Sequence, residues 1–286
     1  MSKRPAAKTK PRLQRRRAGR RGATRRLTDG RRARLQRALK ALRRTPKWLR
    51  YTLLTALLLA LLMAVNSVYQ VLRKPSELLF PVSGTLNKKP ADTWKSYGST
   101  FQQDSTANIP PELLAALAQT EAAGNPIART YWRWSWTLHP FEIYRPASSS
   151  VGLFQMTDGT FAQAKQLCIR NHQVKHAGPW NDWDSCWFNN FYLRIMPGDA
   201  IELTAAYLDV AVSEILARHR LNAAAPAQRQ RLAAVVHLCG AGAADAYASH
   251  GFRFAAGQRC GDHDPRQYLA QVTRLEREFT GFAAGG

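Results

Sequence analysis

A run of 22 residues without a charge, between Arg50 and Arg73, constrains the architecture of this chain more than any other feature. A helix of that length rises roughly 33 Å, which is enough to cross the hydrocarbon core of a bilayer. Trp48 and Tyr69 stand near its ends, where membrane proteins place interfacial aromatic residues. A secretory signal would have a shorter apolar region and a small-residue cleavage site. The sequence therefore predicts a transmembrane helix over residues 48–72, with a buried helix of a soluble domain as the alternative.

Positive charge is distributed very unevenly about this run. Of the formal net charge of +23, residues 1–50 hold +20, because they contain 21 Lys or Arg and one acid, Asp29; this leaves +3 for the rest of the chain. Segments rich in Lys and Arg stay on the cytoplasmic side of a membrane. We therefore expect a single-pass inner-membrane protein of a Gram-negative-type bacterium, with its N-terminus in the cytoplasm and everything after about residue 73 in the periplasm.

The segments on either side of the predicted helix differ in composition. Residues 1–47 are Arg-rich with few large apolar side chains, so we expect a disordered basic cytoplasmic tail. Such a tail suits anionic lipids or nucleic acid, although without interleaved aromatic residues it also fits a topogenic role with no specific partner. Residues 73–106 contain several Pro and Gly and are predicted to form a periplasmic linker. The folded domain is predicted over residues 107–282.

Four cysteines occur in the chain, and all of them follow the predicted membrane helix. An even number of cysteines in an oxidising compartment indicates disulfides. Among the three possible pairings we favour Cys168–Cys186 with Cys239–Cys260, because each of these would close a local loop. A zinc site is the alternative, and its further ligands would come from His172, His176, His237 and His263. The spacing matches no standard zinc pattern, so we expect neither a metal nor another cofactor.

Apolar residues recur with helical spacing through most of the domain. A short apolar helix is predicted from Ile109 to Thr120, and its Pro-Pro start suits a first turn, where backbone N–H groups have no partner. Further helices are predicted from Thr157 to Leu167, from Asp199 to Arg218, from Arg229 to Leu238, and from Asp264 to about Phe279. No strand alternation of any length is visible. The fold is therefore predicted to be mainly α-helical.

Glu121, directly after the apolar helix, is the residue that most suggests chemistry. Desolvation beside apolar residues raises the pKa of a carboxyl group, and a raised pKa suits a general acid. About 30 residues later the chain contains a second distinctive segment, Ser148–Met156, which is rich in small residues. The alternative for Glu121 is a solvated carboxylate at a helix end.

Five sequence blocks in order resemble those of lytic transglycosylases of the soluble-transglycosylase, goose-lysozyme-like type. The family has Glu-Ser-x-x-Asn-Pro, Gly-Leu-Met-Gln, Ala-x-Tyr-Leu, Ala-Tyr-Asn-Ala-Gly-x-Gly and Thr-Arg-x-Tyr-Val. Here the corresponding blocks are Glu-Ala-Ala-Gly-Asn-Pro at 121–126, Gly-Leu-Phe-Gln at 152–155, Ala-Ala-Tyr-Leu at 205–208, Val-His-Leu-Cys-Gly-Ala-Gly at 236–242, and Asp-Pro-Arg-Gln-Tyr-Leu at 264–269. Together they cover about 170 residues.

The resemblance implies a lysozyme-like fold with a cleft between lobes, and cleavage of the β-1,4 bond between N-acetylmuramic acid and N-acetylglucosamine in peptidoglycan. Glu121 would act first as acid and then as base, and the product would be a 1,6-anhydromuramoyl end. Gln155 is expected to bind the glycan, together with Ser150 and Gly152 in the same block. Tyr268 is expected to orient Glu121 or to contact the sugar. The mechanism that the family uses needs no cofactor.

An aromatic segment lies between the first two blocks, and Trp134 and Tyr144 are its candidate substrate-binding residues. Aromatic faces stack on the apolar faces of sugars, so we expect these side chains to line the substrate cleft. The alternative is that the segment packs within its lobe or touches the membrane surface.

Two departures from the family pattern leave other functions open. Ala122 stands where the family has a serine that can hold the catalytic carboxylate, and Leu238 stands where the family has an asparagine. The first alternative is a hydrolytic muramidase that uses Glu121 with water. The second is a glycan-binding scaffold, with reduced catalysis, within an envelope-spanning machine and its protein partners. We favour the transglycosylase because Glu121 and Gln155 are both present.

Overall fold

The computed structural model describes residues 45–182 and 184–285, and this part of the chain is mainly helical, as the sequence predicts. Nearly all of the predicted tail over 1–47 lies outside the described residues. The helices are α1 (Lys47–Arg73), α2 (Phe80–Ser83), α3 (Pro90–Gln103), α4 (Pro111–Ala122), α5 (Asp158–Ala164), α6 (Pro197–Arg218), α7 (Pro226–Ser249) and α8 (Pro265–Ala284). Short 3-10 helices cover Pro75–Leu79, Gly84–Leu86 and Trp187–Phe191. Two compact units follow each other along the chain, residues 1–65 and 66–286.

In the first unit, the described residues form the greater part of α1. Leu57, Leu58 and Leu61 each expose more than half of their surface, and only 6% of the most apolar stretch of α1 is buried. Within the described ranges, α1 is the one helix long and apolar enough to cross a membrane. A core helix of a soluble domain buries its leucines, so this exposure argues against the buried-helix alternative.

Helix α4 lies at the centre of the second unit. Leu113, Leu114 and Leu117 on this helix have no exposed surface. Helices α3 and α8 both pack against α4, and α6 packs against α7. Burial of each leucine contributes about 1.5–3 kcal/mol relative to leaving it in water. The carboxyl end of α4, which carries Glu121, is therefore held by the main core.

The linker predicted over residues 73–106 is wrong for much of that segment. Helix α3 occupies its second half, and Phe101 on this helix is fully buried in the core. The ring of Trp94 contacts the ring of Phe279 on α8, with centroids 5.9 Å apart. Pro90 stands in the first turn of α3, where a missing N–H costs nothing. Pro90, which suggested a linker, instead stands at the start of a helix. The folded unit therefore begins well before residue 107.

Two short antiparallel hairpins interrupt the helices, although no strand alternation is visible in the sequence. Their strands are β1 (Trp132–Trp134) with β2 (Tyr144–Pro146), and β3 (Leu167–Arg170) with β4 (Gln173–His176). Arg133 lies opposite Arg145 in the first hairpin, and Cys168 lies opposite Lys175 in the second. Strands of three or four residues are too short for an alternating pattern to be recognised.

Both disulfides join the pairs that the sequence favoured. One links Cys168 on β3 to Cys186, just before the third 3-10 helix. The other links Cys239 on α7 to Cys260 in the loop before α8. Next to Cys239, Gly240 has φ 80° and ψ 167°, a conformation that breaks α7 into two parts. All four thiols are bonded, which leaves none of them for the zinc alternative.

Candidate active site

Glu121 lies in the last turn of α4, at the edge of the core. Ala123 and Gly124 follow in the left-handed conformation, with φ 48° and 65°, and turn the chain away from the helix. A Cβ on Gly124 would lie 2.1 Å from Oγ1 of Thr93, so the close approach of α3 requires glycine. The Thr93 hydroxyl in turn donates a 2.7 Å hydrogen bond to Oε1 of Gln119. These contacts fix the helix end that presents Glu121.

Side chains from two other helices converge on the Glu121 carboxylate. The hydroxyl of Tyr268, in the first turn of α8, donates a 2.6 Å hydrogen bond to Oε1 of Glu121. Nε2 of His237 on α7 lies 3.5 Å from the same oxygen, an ion-pair separation rather than a short hydrogen bond. Helices α4, α7 and α8 thus each contribute one polar side chain to a single cluster at the edge of an apolar core.

The electrostatics of this cluster differ from the sequence-based expectation. Burial raises the pKa of Glu121, as predicted, but the hydrogen bonding and charge of His237, the Tyr268 hydroxyl and the charge of His263 together lower it below its ordinary value. The prediction of a raised pKa for Glu121 is therefore wrong. Burial and the adjacent Glu121 charge raise the pKa of Tyr268 well above 10, so the phenol remains a proton donor.

Cavities lie beside both members of the Glu121–His237 pair. Glu121 lines a cavity of about 460 Å³ together with Asn87, Gln119 and Arg129. His237 lines a second cavity, of about 270 Å³, whose other walls include Gln155, Met156, Thr157, Tyr207 and Gly240. Volumes of this order are typical of sites that hold small molecules or single sugar units.

The predicted substrate-binding block 150–155 is largely occupied with internal contacts. Nε2 of Gln155 donates 3.0 Å hydrogen bonds to the carbonyls of Ala128 and Gly152, although the residue also lines the His237 cavity. The Ser150 hydroxyl donates to Oγ of Ser148 at 2.9 Å. A Cβ on Gly152 would lie 2.1 Å from the Arg194 carbonyl oxygen, so packing inside the protein already requires this glycine.

Trp134 and Tyr144 meet each other in the first hairpin rather than beside Glu121. Their ring centroids are 4.8 Å apart, and the Tyr144 carbonyl accepts a 2.6 Å hydrogen bond from Nδ2 of Asn66. Neither residue lines the Glu121 cavity or the His237 cavity as the described residues define them. The structure therefore brings Tyr268 to Glu121, and it places Gln155 in the cavity that His237 lines. The two predicted aromatic residues, Trp134 and Tyr144, lie in the first hairpin instead.

His237 is the site residue whose role sequence reasoning missed. The sequence offers His237 only as a possible zinc ligand, and an isolated histidine is usually a satisfied packing residue. The available signal was its place in the block Val236–Gly242, where the resembling family has a tyrosine. His237 is titratable, occupies a position in a family block and lies 3.5 Å from Glu121, so it is a candidate site residue.

Other buried carboxyl groups have perturbed pKa values, but they lie outside this cluster. Burial, with the charge of Glu202, raises the pKa of Asp104 to about 7. Burial, with the charge of Glu112, raises the pKa of Glu276 to about 7. Neither Asp104 nor Glu276 lines the Glu121 or His237 cavity.

Neither a metal-binding group in the described part of the chain nor a matching known protein was found. Within the described ranges there is no group of three or more His, Cys, Asp or Glu residues that could hold a metal ion. In comparisons with known proteins, no family model matches this chain and no curated protein matches it.

Proposed function

We propose that this chain is a membrane-anchored peptidoglycan lytic transglycosylase whose second unit has a lysozyme-like fold. The observation that carries the proposal is the convergence of Tyr268 and His237 on the Glu121 carboxylate beside a cavity. These three residues come from three sequence blocks that resemble the family, and Gln155 from a fourth block lines the His237 cavity. Tyr268 and Glu121 are 147 positions apart in the sequence, yet they meet in the structure. This contact supports a common site over a chance series of weak motifs.

The proposed reaction uses Glu121 twice. In the first step the protonated carboxyl group gives its proton to the glycosidic oxygen, and the bond from this oxygen to C1 of the muramoyl residue breaks. The N-acetyl group of the same sugar stabilises the positive charge at C1. In the second step the Glu121 carboxylate takes the proton of the muramoyl 6-hydroxyl, whose oxygen bonds to C1. The carboxyl group is restored, the product is a 1,6-anhydro ring, and no water is consumed.

The lowered pKa of Glu121 sets a condition on the first step. An acid must carry its proton when the substrate is bound, whereas the contacts of Glu121 favour the carboxylate. A glycan that fills the cavity displaces water and adds desolvation, which raises the pKa of Glu121. We therefore expect substrate binding to promote protonation of Glu121.

Membrane anchoring is supported by α1 and by the residues that precede it. The exposed apolar surface of α1 suits lipid, and the excess of Lys and Arg before it favours a cytoplasmic N-terminus and a periplasmic domain. Two disulfides in the second unit suit an oxidising compartment. A reporter that is active only in the periplasm, fused after Gly286, should be active; silence would contradict this orientation.

One observation favours a different function, a glycan-binding scaffold with reduced catalysis. The contacts of Glu121 stabilise its ionised form, whereas a general acid must carry a proton. Leu238 also leaves no side-chain amide at the position where the resembling family has asparagine. A hydrolytic muramidase would use the same Glu121 with water in place of the 6-hydroxyl.

Digestion of purified sacculi by the full-length protein in detergent separates these functions. Mass spectrometry of the released muropeptides should find 1,6-anhydromuramoyl ends. Reducing muramoyl ends instead would indicate hydrolysis. Sacculi that bind the protein but release no fragments would indicate the scaffold and overturn the proposal.

A further inference from the structure

The first hairpin exposes an unusual amount of apolar surface. We call residues 131–146, which include β1, β2 and the loop between them, the aromatic hairpin. Trp136 and Leu138 in its loop are fully exposed. Its exposed large apolar residues are Tyr131, Trp134, Trp136, Leu138 and Phe141. The surfaces of soluble proteins rarely carry so many exposed apolar side chains together, and such a patch marks an interaction site.

The last turns of α1 bind the return side of this hairpin through specific hydrogen bonds. Nδ2 of Asn66 donates to the Tyr144 carbonyl at 2.6 Å, and Nε2 of Gln70 donates to the Phe141 carbonyl at 2.6 Å. The rings of Tyr69 and Phe141 lie 5.3 Å apart. Asn66 and Gln70 are buried, and they are one helical turn apart on the same face. These contacts fix the hairpin to α1, although the bonded residues are 71 and 78 positions apart in the sequence.

The position of these contacts along α1 sets the level of the hairpin relative to a bilayer. A transmembrane helix needs about 20 residues, so a span that starts at Trp48 ends near Ser67. Asn66 and Tyr69 then lie at the outer boundary of the membrane. Because the backbone of the hairpin is hydrogen-bonded at this level, its exposed apolar side chains lie within reach of the lipid interface.

We propose that the aromatic hairpin is a second membrane attachment, which inserts Trp136 and Leu138 into the interface of the outer leaflet that α1 reaches. The inference rests on the part of the proposed function in which α1 crosses the membrane, and it does not depend on glycan cleavage. Tryptophan favours the membrane interface, because its ring is apolar and its N–H hydrogen-bonds to water and headgroups. Insertion removes from water the apolar side chains that the folded unit leaves exposed.

The base of the hairpin carries several basic residues. A cavity of about 140 Å³ there is lined by Arg73, Lys74, Arg145 and Arg194, together with Asp158. Acidic neighbours offset much of this charge: Glu142 lies 3.6 Å from Arg73 and 3.4 Å from Arg145, Glu77 lies 3.2 Å from Lys74, and Asp158 lies 2.6 Å from Arg194. Basic residues next to an apolar insert suit the phosphates of anionic lipids.

The hairpin, the end of α1 and α3 all belong to one folded unit, residues 66–286. The same assignment gives Trp134 a place at the membrane surface in place of the glycan cleft that the sequence suggested.

The test places an environment-sensitive fluorophore on the full-length protein in nanodiscs of anionic lipid. The native cysteines are paired, so single added thiols at Leu138→Cys, Trp180→Cys and Leu57→Cys are labelled without reduction. Lipids with a spin label near the headgroup should quench the Leu138 probe at least twofold more than the probe at Trp180, which is an exposed aromatic on another loop. Leu57, inside α1, is the control for spanning and should be quenched by lipids labelled deep in the acyl chain.

Each other outcome contradicts the inference in a distinguishable way. Quenching at Leu57 but not at Leu138 would leave the anchor intact and remove the hairpin attachment. Quenching at neither position would remove the anchor as well. A blue-shifted but unquenched Leu138 probe would place the hairpin against protein, such as a second copy of this chain, and not against lipid. Without labels, brominated lipids should quench wild-type fluorescence more than that of Trp136→Ser, whereas Trp180→Ser should not reduce quenching. Muropeptide release, assayed separately, reports on the proposed cleavage alone.

Discussion

The hydroxyl of Tyr268 donates a 2.6 Å hydrogen bond to Oε1 of Glu121 across 147 residues of sequence. The same oxygen faces Nε2 of His237 at 3.5 Å, so the hydroxyl and the imidazole converge on one oxygen of the carboxylate. Because these side chains lie on α8, α7 and α4, the packing of three helices sets the pKa of the proposed acid.

Replacing Tyr268 with phenylalanine removes the hydrogen bond without removing the ring that fills the core. A hydrogen bond to a charged group contributes about 1.5–3 kcal/mol, so we expect muropeptide release to fall by at least about tenfold. The pKa of Glu121 should rise, since a group that lowers it has gone. Initial rates on sacculi, compared with binding to the same sacculi, measure the effect. Unchanged rates would show that Tyr268 only packs.

His237→Gln removes the imidazole that lowers the pKa of Glu121 but keeps a polar side chain at this position. Burial would then raise the pKa of Glu121 with less opposition, so the pKa should increase. Glu121 would retain its proton to a higher pH, and the alkaline side of the activity profile should move up accordingly. Carboxyl ¹³C resonances, assigned with Glu121→Gln, follow the titration directly. A pKa that stays the same or falls would exclude His237 as the controlling charge.

Much of the site was predictable because its residues occur in ordered sequence blocks. The resemblance of their blocks to the family predicted that Tyr268 would orient Glu121 or contact the sugar, and the structure shows a hydrogen bond between the two residues. The direction of the Glu121 pKa was not predictable, because it depends on the side chain that α7 brings within 3.5 Å. The internal hydrogen bonds of Gln155 were also unpredictable, since the carbonyl of Ala128 is distant in sequence and reaches it only through the fold.

Gly124→Ala should destabilise the second unit. A Cβ at this position would lie 2.1 Å from Oγ1 of Thr93, and the backbone has φ +65°. We expect a loss of about 2–3 kcal/mol in the free energy of unfolding, from strain and overpacking together. Gly159→Ala is the matched control, because no atom lies within 4 Å of its added Cβ. Equal urea midpoints for the two variants would contradict this account of the turn.

Asp104→Asn should stabilise the protein in a pH-dependent way. The pKa of Asp104 rises from 3.8 to about 7 on folding, chiefly through burial. The folded state therefore binds this proton more tightly, and stability attributable to the group is lost as pH rises between about 4 and 7. At pH 8 the asparagine variant should be more stable by roughly 1–3 kcal/mol, whereas near pH 4 the two should agree. A difference that is constant with pH would contradict the assignment.

The fold was predictable where apolar spacing was regular and hidden where it was not. The long uncharged run and the apolar helix ending at Glu121 both appear in the structure as helices. Helix α3 was missed because its polar composition and Pro90 resemble a linker, although Phe101 supplies a buried anchor. The aromatic hairpin was missed because its strands are three residues long and its partner, Asn66, lies 78 residues before Tyr144.

The most direct test of the central claim compares Glu121→Gln with Glu112→Gln in full-length protein acting on purified sacculi. Both residues lie on α4, and Glu112 is in its first turn, away from the Tyr268 and His237 contacts. General acid and base catalysis contributes about 10²–10⁴-fold, so release of 1,6-anhydromuropeptides should fall at least about a hundredfold in Glu121→Gln and stay near wild type in Glu112→Gln. Equal release by Glu121→Gln and wild type, with both variants folded, would contradict the assignment of Glu121 as the acid.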